Sequence, residues 1–97
     1  MSVRFEWDIQ KAKINQRRHK VSFEEACTVF SDPLGRIFDD ESHSTPNEQR
    51  EIIIGHSQKQ HVLLVCFTEL RPNVIRIISA REATSREQQD YEENIHF

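Results

Sequence analysis

Glycine and proline are scarce in this sequence, with two and three residues among 97, and no Gly-rich phosphate-binding loop is present. A Ser/His/Asp elbow and a Cys/His cluster at zinc-ligand spacing are also absent. The closest pair of histidines, His56 and His61, has no evident third ligand, so we expect two exposed loop-end residues and neither a metal site nor a cofactor. Cys27 and Cys66 lie among apolar neighbours in EEACTVF and LLVCF, which predicts buried free thiols.

Long hydrophobic runs are absent as well. No apolar stretch approaches the roughly 20 residues that a membrane-spanning helix needs, and the N-terminal MSVRFEWD is not followed by the apolar segment of a signal peptide. We therefore expect a cytoplasmic protein with no membrane partner. With 36% hydrophobic and 30% charged residues, the chain is long enough for one folded domain over residues 1–97 and too short for two cores.

The net charge of −3 conceals an uneven distribution of charged residues. Residues 1–20 contain six Lys/Arg and two acids, residues 21–49 contain one and seven, and residues 50–97 contain six and seven. This asymmetry permits an anionic partner on one side of the molecule. The net charge alone counts slightly against RNA or DNA, because proteins that bind nucleic acid over a large surface are usually basic overall.

Two helices are predicted near the N-terminus. Asp8 is a good N-cap for a helix from about Ile9 to His19, a segment without glycine or proline whose cations lie mainly in its last turn. Ser22 and Glu25 form a capping box at the start of VSFEEACTVFSDP. The second helix is therefore predicted over about Phe23 to Ser31, just before a proline that ends it.

A third helix is predicted near the C-terminus, over REQQDYEENI. Two pairs of residues can cap it: Thr84 with Glu87, and Ser85 with Gln88. Tyr91 and Ile95 lie four residues apart, so both can dock the helix against the rest of the protein.

Five segments have the pattern of β-strands. VRFEWD alternates apolar and polar residues and predicts a first strand that ends at Asp8. GRIFDD, REIIIGH, HVLLVCFTE and NVIRIIS are rich in β-branched and aromatic residues, and short connections between the last three imply antiparallel hairpins. The predicted fold is α+β: an antiparallel sheet of about four to five strands, with two N-terminal helices and one C-terminal helix covering one face.

The last predicted strand, NVIRIIS, contains arginine within its apolar run. Alternation separates two sets of side chains: Val74, Arg76 and Ile78 on one side, and Ile75, Ile77 and Ser79 on the other. The second set suits the helix-covered face, which puts Arg76 on the open face. The preceding strands can supply Thr68 or Glu69, and Arg50, but the sequence does not determine which of them share a face with Arg76.

Arginine dominates the cations of the C-terminal half, and Arg81 is predicted just after the end of the last strand. An arginine on a strand is commonly a surface residue paired with an acid such as Glu69 or Glu51. Arg50, Arg76 and Arg81 also suit an anion, because the planar guanidinium makes bidentate contacts with phosphate. The residues alone leave both interpretations open.

Several linked motifs resemble the BrnT toxins of bacterial type II toxin–antitoxin modules. The motifs are FEWD followed by Lys11, then RRHKVSFEEACTVFSDPL, then the acidic DDESHS followed by EQR and IG. The last is FTE followed by IRIISAREAT, Glu87 and DYE. They occur in the same order over nearly the whole chain. Lys20 stands where the family usually has glycine, and the TELRPN turn is one residue longer than usual, which leaves open whether Arg71 takes the role of the turn arginine.

The resemblance implies a RelE-like fold and a metal-independent endoribonuclease that halts translation. It also implies inhibition by a cognate BrnA antitoxin, whose ribbon-helix-helix part binds operator DNA, so that DNA is reached only through the complex. The polar motif positions of the family are occupied here by Lys11, His19, His43, Glu48, Arg50, Thr68, Glu69, Arg76, Arg81 and Glu87.

Metal-free cleavage of RNA needs a base for the ribose 2′-OH, donors for the charge on the phosphate, and an acid for the leaving oxygen. Our hypothesis is that Arg76 and Arg81 hold the scissile phosphate with help from Arg50. One of three further residues then moves protons: Glu69, Glu48 or His43. His43 has a suitable ordinary pKa, although a histidine in such a polar loop is more often simply exposed.

Other cations are candidates for contact with the RNA backbone. The first helix carries Lys11, Lys13, Arg17 and Arg18, although such charges most often form a solvated face. Thr68 and Arg71 are further candidates for RNA contact near the last turn. Two alternative functions stay open: a protein-binding module without catalysis, and a corepressor that acts only in complex with the antitoxin.

Overall fold

The computed structural model describes residues 2–93 and contains three α-helices and a five-stranded sheet within that range. The elements in chain order are β1 (Arg4–Glu6), α1 (Ile9–His19), α2 (Phe23–Thr28), β2 (Arg36–Asp39), β3 (Glu51–His56), β4 (Val62–Arg71), β5 (Val74–Glu82) and α3 (Ser85–Glu93). Two 3-10 turns, Val29–Ser31 and Glu41–His43, lie between them. No helix in the described range is long and apolar enough to cross a membrane.

The strands are arranged in the order β1-β5-β4-β3-β2. Strands β2 to β5 pair antiparallel, which the short connections predicted for the last three, and the α+β fold class is confirmed. Strand β1 pairs parallel with the start of β5, which makes the sheet mixed. It is also shorter than predicted and stops at Glu6, because Asp8 turns away to cap α1 by accepting a hydrogen bond from the Lys11 amide at 3.0 Å.

Helix α1 has the predicted bounds, and it ends at Lys20, whose φ of 61° lies in the left-handed region. The second predicted helix is divided into α2 and the 3-10 turn that follows it. Ser22 caps α2 as expected by accepting a hydrogen bond from the Glu25 amide at 3.0 Å. Local capping chemistry therefore places both N-terminal helices correctly.

The main core lies between one face of the sheet and helices α1 and α2. Phe23 and Leu63 are fully buried there, and Ile77 and Ala80 of β5 face the same core. The ring of Trp7 packs edge-on against Phe23 with 5.9 Å between ring centroids. This face of the sheet is apolar and buried along most of its length, which fixes the position of the strands.

Helix α3 lies on the opposite face, so the prediction that all helices cover one face is wrong. Tyr91 is buried on α3 and forms a second, smaller core with Ile54 and Val62. The predicted capping box is present: the Thr84 amide donates to Glu87 at 2.9 Å, and the Glu87 amide donates to the Thr84 hydroxyl at 3.2 Å. The other proposed docking residue, Ile95, lies outside the described residues. Helix α3 therefore covers only one end of this face.

A β-bulge changes the alternation predicted for β5. Cys66 pairs with Ser79 and Phe67 pairs with Ile77, so Ile78 has no partner on β4. The extra residue moves Ser79 to the open face, against the prediction that it packs under the helices with Ile77. Strand β5 also continues further than predicted, because β4 is ten residues long and pairs with it as far as Glu82. Arg81 is therefore inside the strand.

Candidate active site

The open face of the sheet contains a cavity of about 580 Å³ between α3 and the segment that joins β2 to β3. Its floor consists of side chains from β3, β4 and β5, which alternate with the residues of the main core. The lining residues are Asp40, Ser42, His43, Arg50, Ile52, Leu64, Cys66, Ile78, Ser79, Arg81 and Glu87. Three residues predicted for the site from the sequence, His43, Arg50 and Arg81, thus face one space.

Arg81 is held by Glu87 at the start of α3. Its Nη1 and Nη2 atoms donate to the two oxygens of the Glu87 carboxylate at 2.8 and 2.9 Å, and Nη1 also donates to the Glu82 carbonyl at 3.2 Å. The hydrogen bonds from Arg81 lower the pKa of Glu87 to about 2, against the opposing effect of burial. The bidentate pair fixes the guanidinium in one orientation above the floor of the cavity.

Arg50 is held in a similar way from the other side of the cavity. Its Nε atom donates to Glu48 at 2.7 Å, and this hydrogen bond raises the pKa of Arg50. Its two terminal nitrogens make no hydrogen bond within residues 2–93. Arg50 therefore keeps donors available for an anion, whereas the Glu48 carboxylate is already used by the arginine.

His43 is oriented by a buried carboxylate. Its Nδ1 atom lies 3.0 and 3.1 Å from the two oxygens of Asp40, which is itself buried and also accepts from the Ser42 hydroxyl at 3.0 Å. Burial would raise the pKa of Asp40, but hydrogen bonds from His43 and Ser42 bring it below its ordinary value. Because an ionised Asp40 accepts a hydrogen bond from a protonated Nδ1, the neutral tautomer that fits this contact has Nε2 as its proton acceptor. The side chain of His43 is 67% exposed, so Nε2 is accessible.

The cysteines are free thiols, as predicted. Cys66 is buried on the cavity floor with its Sγ atom 4.0 Å from Asp40, and burial together with that carboxylate raises its pKa. Cys27 is half-buried, and burial raises its pKa to about 11. Neither thiol is therefore poised to act as a nucleophile at neutral pH.

The register decides which of the remaining candidates share a face with Arg76. Thr68 lies directly opposite Arg76, whereas Glu69 lies opposite Ile75 and thus on the helix-covered side. Glu69 accepts a hydrogen bond from the Asn73 amide at 3.3 Å. The Arg76 side chain is exposed and lies outside the cavity, and its guanidinium makes no hydrogen bond or ion pair within the described residues. Of the two possibilities that the sequence left open, Thr68 and not Glu69 therefore shares a face with Arg76.

Thr68 and Arg71 have different surroundings near the same end of the sheet. Thr68 is buried, and its hydroxyl donates to the Gln49 carbonyl at 2.8 Å, so it anchors the segment that precedes β3. Arg71 is exposed at the end of β4. Neither residue lines the cavity.

The cations of α1 fall into two groups. Lys11 and Arg18 line a groove of about 150 Å³ beside β5, together with His19, Ile78 and Ser79. Lys13 and Arg17 are exposed and lie outside this groove. Because Ile78 and Ser79 line both the groove and the cavity, the two spaces adjoin.

His56 and His61, the two histidines closest in sequence, each contact a polar side chain from another part of the fold. The Nδ1 atom of His61 lies 2.9 Å from the buried Glu25 carboxylate, and that of His56 lies 3.0 Å from the Tyr91 hydroxyl. The Tyr91 hydroxyl donates to Asp32 at 2.7 Å. Within residues 2–93, no group of three or more His, Cys, Asp or Glu side chains is placed to hold a metal ion.

Sequence reasoning missed Asp40 as a partner of His43. The available signal was its position three residues before the histidine in DDESH, which the 3-10 turn converts into direct contact. Sequence reasoning also missed Ser79, because a bulge has no clear signature in a run of apolar residues.

Comparison with known proteins identifies the family. Residues 7–87 match the sequence profile described as "Ribonuclease toxin, BrnT, of type II toxin-antitoxin system". The fold is similar to the crystal structure of the Brucella abortus ribonuclease toxin BrnT, with a TM-score of 0.65 and 20% sequence identity over 87% of this chain and 100% of that chain. No curated protein matches. The chain therefore belongs to the BrnT family of ribonuclease toxins of type II toxin–antitoxin systems, which act on RNA and have an antitoxin partner.

Proposed function

We propose that this protein is a metal-independent endoribonuclease that cuts RNA in the cavity on the open face of the sheet and thereby stops translation in the cytoplasm. One observation carries the proposal: His43, with Nδ1 held by Asp40, faces the same cavity as Arg50 and Arg81. A proton acceptor and two permanent cations thus surround one space. They meet two of the three needs of metal-free phosphodiester cleavage, a base and donors for the phosphate charge, and water supplies the proton of the leaving oxygen.

The proposed reaction begins at the ribose 2′-OH of the bound RNA. His43 Nε2 accepts the proton of this hydroxyl while its oxygen attacks the adjacent phosphorus. The bond from phosphorus to the 5′-oxygen of the next nucleotide breaks, and that oxygen takes up a proton from water. The products are a 2′,3′-cyclic phosphate and a 5′-hydroxyl. Asp40 stabilises the imidazolium that forms on His43, since its carboxylate lies 3.0 Å from Nδ1.

The arginines are proposed to hold the negative charge that grows on the phosphate oxygens. Arg50 offers its terminal nitrogens directly. Arg81 shares its guanidinium between Glu87 and the phosphate. Because the carboxylates already orient both guanidinium groups, little reorganisation is needed when RNA binds. Two fixed cations supply charge stabilisation of the kind that a metal ion provides in other nucleases, which supports the metal-independent reaction.

Further contacts with RNA are proposed along the same face. Arg76 lies on the open face beyond the cavity, where it can meet the backbone, and Arg71 lies at the same end of the sheet. Thr68 acts indirectly, by anchoring the segment that leads to Arg50. Glu69 has no proposed contact with the phosphate, because it projects from the other face of the sheet.

A BrnA-type antitoxin with a ribbon-helix-helix part is the proposed inhibitor, and operator DNA is reached only through that complex. The cations of the open face support this, because an acidic side chain of an antitoxin can occupy the position of the RNA phosphate. Addition of a BrnA-type protein should stop cleavage, and the toxin should shift operator DNA only in its presence. Cleavage that continues at saturating antitoxin would contradict this part of the proposal.

The proposal is tested by incubating the purified protein, freed of antitoxin, with single-stranded RNA in EDTA and identifying the product ends. We expect cleavage with 2′,3′-cyclic phosphate ends. Replacement His43→Ala should lower the single-turnover rate by about a hundredfold or more. His61→Ala is a matched control, because His61 also has its Nδ1 against a buried carboxylate but lies outside the cavity.

Intact RNA with the unmodified protein would contradict the proposed activity and favour a protein-binding module. Cleavage that requires added magnesium would contradict metal independence alone. Equal losses in the His43→Ala and His61→Ala proteins would show that His43 has no special role in proton transfer.

A further inference from the structure

The groove beside the cavity has a rigid wall. Strand β1 pairs with β5 only from Val74 to Arg76, so the rest of that edge of β5 has no neighbouring strand. Helix α1 takes this place: the Asn15 side chain donates to the Ala80 carbonyl at 2.8 Å and accepts from the Ala80 amide at 3.0 Å. Asn15 is buried and also donates to the Val21 carbonyl at 2.9 Å. Three hydrogen bonds on one side chain thus fix α1 against the edge of β5.

The surface of α1 that faces β5 carries both cationic and apolar side chains. Lys11, Ile14, Asn15 and Arg18 follow the i, i+3, i+4, i+7 spacing of one helix face. The two cations are seven residues apart, which separates them by roughly 10 Å along the helix axis. Ile14 lies between them and is 45% exposed. The groove therefore has an apolar centre and a cation at each end.

The opposite wall of the groove comes from the β-bulge. Ile78 has no partner on β4, and it lines both the groove and the cavity together with Ser79. A bulge changes the direction in which a side chain points and interrupts the regular hydrogen bonds between the strands, and bulges are common beside active sites. Here the bulge puts an apolar side chain at the border between the cavity and the groove, facing the same groove as Ile14.

We propose that the groove between α1 and β5 is a nucleotide subsite, in which Ile14 and Ile78 contact the base of a nucleotide next to the cleaved bond while Lys11 and Arg18 contact the RNA backbone. This inference rests on the proposed function, because it assumes that RNA is cut in the adjoining cavity. Bases are planar and apolar on their faces, which suits apolar walls, and phosphates suit the flanking cations. The lining of the cavity itself has as many acids as arginines, so α1 supplies the excess positive charge.

The subsite is tested first from the side of the RNA. A short single-stranded RNA with one mapped cleavage site is prepared with an abasic nucleotide at each position around the cut, and single-turnover cleavage rates are measured. At one position next to the cleaved bond, loss of the base should lower the cleavage rate about five- to fiftyfold. Equal rates for all abasic RNAs would overturn the subsite while leaving cleavage itself intact.

The protein side uses a matched pair of substitutions on α1. Ile14→Ser should lower the rate with intact RNA by a similar factor, and the abasic RNA should then show no further loss, because both changes remove the same contact. Ile9→Ser is the control, since Ile9 is 67% exposed on the same helix and lies outside the groove. Ile14→Leu should restore most of the rate. Fully additive losses would overturn the contact between Ile14 and the base.

The cations are tested by salt dependence. The probe is an RNA made non-cleavable by a 2′-deoxy nucleotide at the cleavage site, and its Kd is measured at several salt concentrations. Replacing Lys11 and Arg18 by alanine should reduce the slope of log Kd against log salt concentration. The same replacement of Lys13 and Arg17 should reduce it less. Equal effects of the two pairs would show that only the overall charge of α1 matters, which overturns the groove. A second result would also overturn the subsite: the protein without Lys11 and Arg18 binds RNA normally but is inhibited more weakly by a BrnA-type antitoxin. The groove would then bind the protein partner and not RNA.

Discussion

The two faces of the sheet differ in what their side chains do, although they alternate along the same strands. The face under α1 and α2 is a continuous apolar core, with Phe23 and Leu63 fully buried. The other face has a small core at one end, under α3, and a charged cavity in its middle. On β5 the difference separates neighbours: Ala80 belongs to the main core and Arg81 to the cavity. One face positions the strands, and the other carries the charged groups proposed for RNA cleavage.

The largest expected effect on stability comes from the helix-covered face. Phe23→Ala should lower the free energy of unfolding by about 3–5 kcal/mol, because it leaves a cavity in a fully packed core. Phe38→Ala is the matched control on edge strand β2, where Phe38 is 40% exposed, and should cost about 1 kcal/mol or less. Urea unfolding measures both. Similar losses in the two proteins would mean that stability is not concentrated on this face.

The second prediction concerns the anchor of α3 on the open face. Tyr91→Phe removes the hydroxyl that donates to Asp32 at 2.7 Å and contacts His56, and it should cost about 1–2 kcal/mol. Since Glu87 lies on the same helix, a looser α3 should also lower RNA cleavage a few-fold. Urea unfolding and the cleavage assay measure the two effects. Unchanged stability would show that the hydroxyl does not hold α3.

The third prediction uses pH to examine the pair between Arg81 and Glu87. The folded-state pKa of Glu87, about 2, lies below its ordinary value of 4.5. The pair therefore contributes fully above pH 4.5 and loses its contribution as pH falls toward 2. Glu87→Gln should remove about 1 kcal/mol of this pH dependence, because the pair is partly exposed to solvent. Denaturation curves between pH 6 and pH 3 measure it, with the exposed Glu24→Gln as control. Identical curves for Glu87→Gln and the unmodified protein would contradict the assignment.

The smallest effect is expected where the helix-covered layer has backbone strain. Lys20 caps α1 with a φ of 61°, a conformation that glycine adopts without steric cost. Lys20→Gly should raise the free energy of unfolding by about 0.5–1 kcal/mol. Gln16→Gly, in the exposed interior of the same helix, should lower it by about 1 kcal/mol. A loss at Lys20 as well would mean that its side chain stabilises the cap.

Much of the fold could be predicted because its signals are local. Asp8, Ser22 and Thr84 each cap a helix through residues three positions away, so their motifs are visible in the sequence. The parallel pairing of β1 and the position of α3 depend on contacts between distant segments, such as that between Tyr91 and Asp32. Such contacts leave no local pattern in the sequence.

For the candidate site, the residues could be chosen from the sequence more readily than their arrangement on the sheet could be predicted. Arg50, Arg81 and His43 could be selected because arginine suits phosphate and histidine suits proton transfer. Which of Thr68 and Glu69 shares a face with Arg76 depends on register, and adjacent residues of a strand must face opposite sides. The bulge at Ile78 then shifts everything that follows it on β5 by one residue, which no alternation pattern anticipates.

The proposal for the open face is that its fixed arginines stabilise the charge on the phosphate while RNA is cut without a metal ion. It is tested most directly by the single-turnover rate of RNA cleavage in EDTA for a protein with both Arg50→Ala and Arg81→Ala. We expect the rate to fall by about a thousandfold or more. Lys59→Ala, at an exposed cation in the turn before β4, should keep the full rate. An undiminished rate in the doubly substituted protein, with its fold confirmed by circular dichroism, would show that the two arginines do not stabilise the cleaved phosphate.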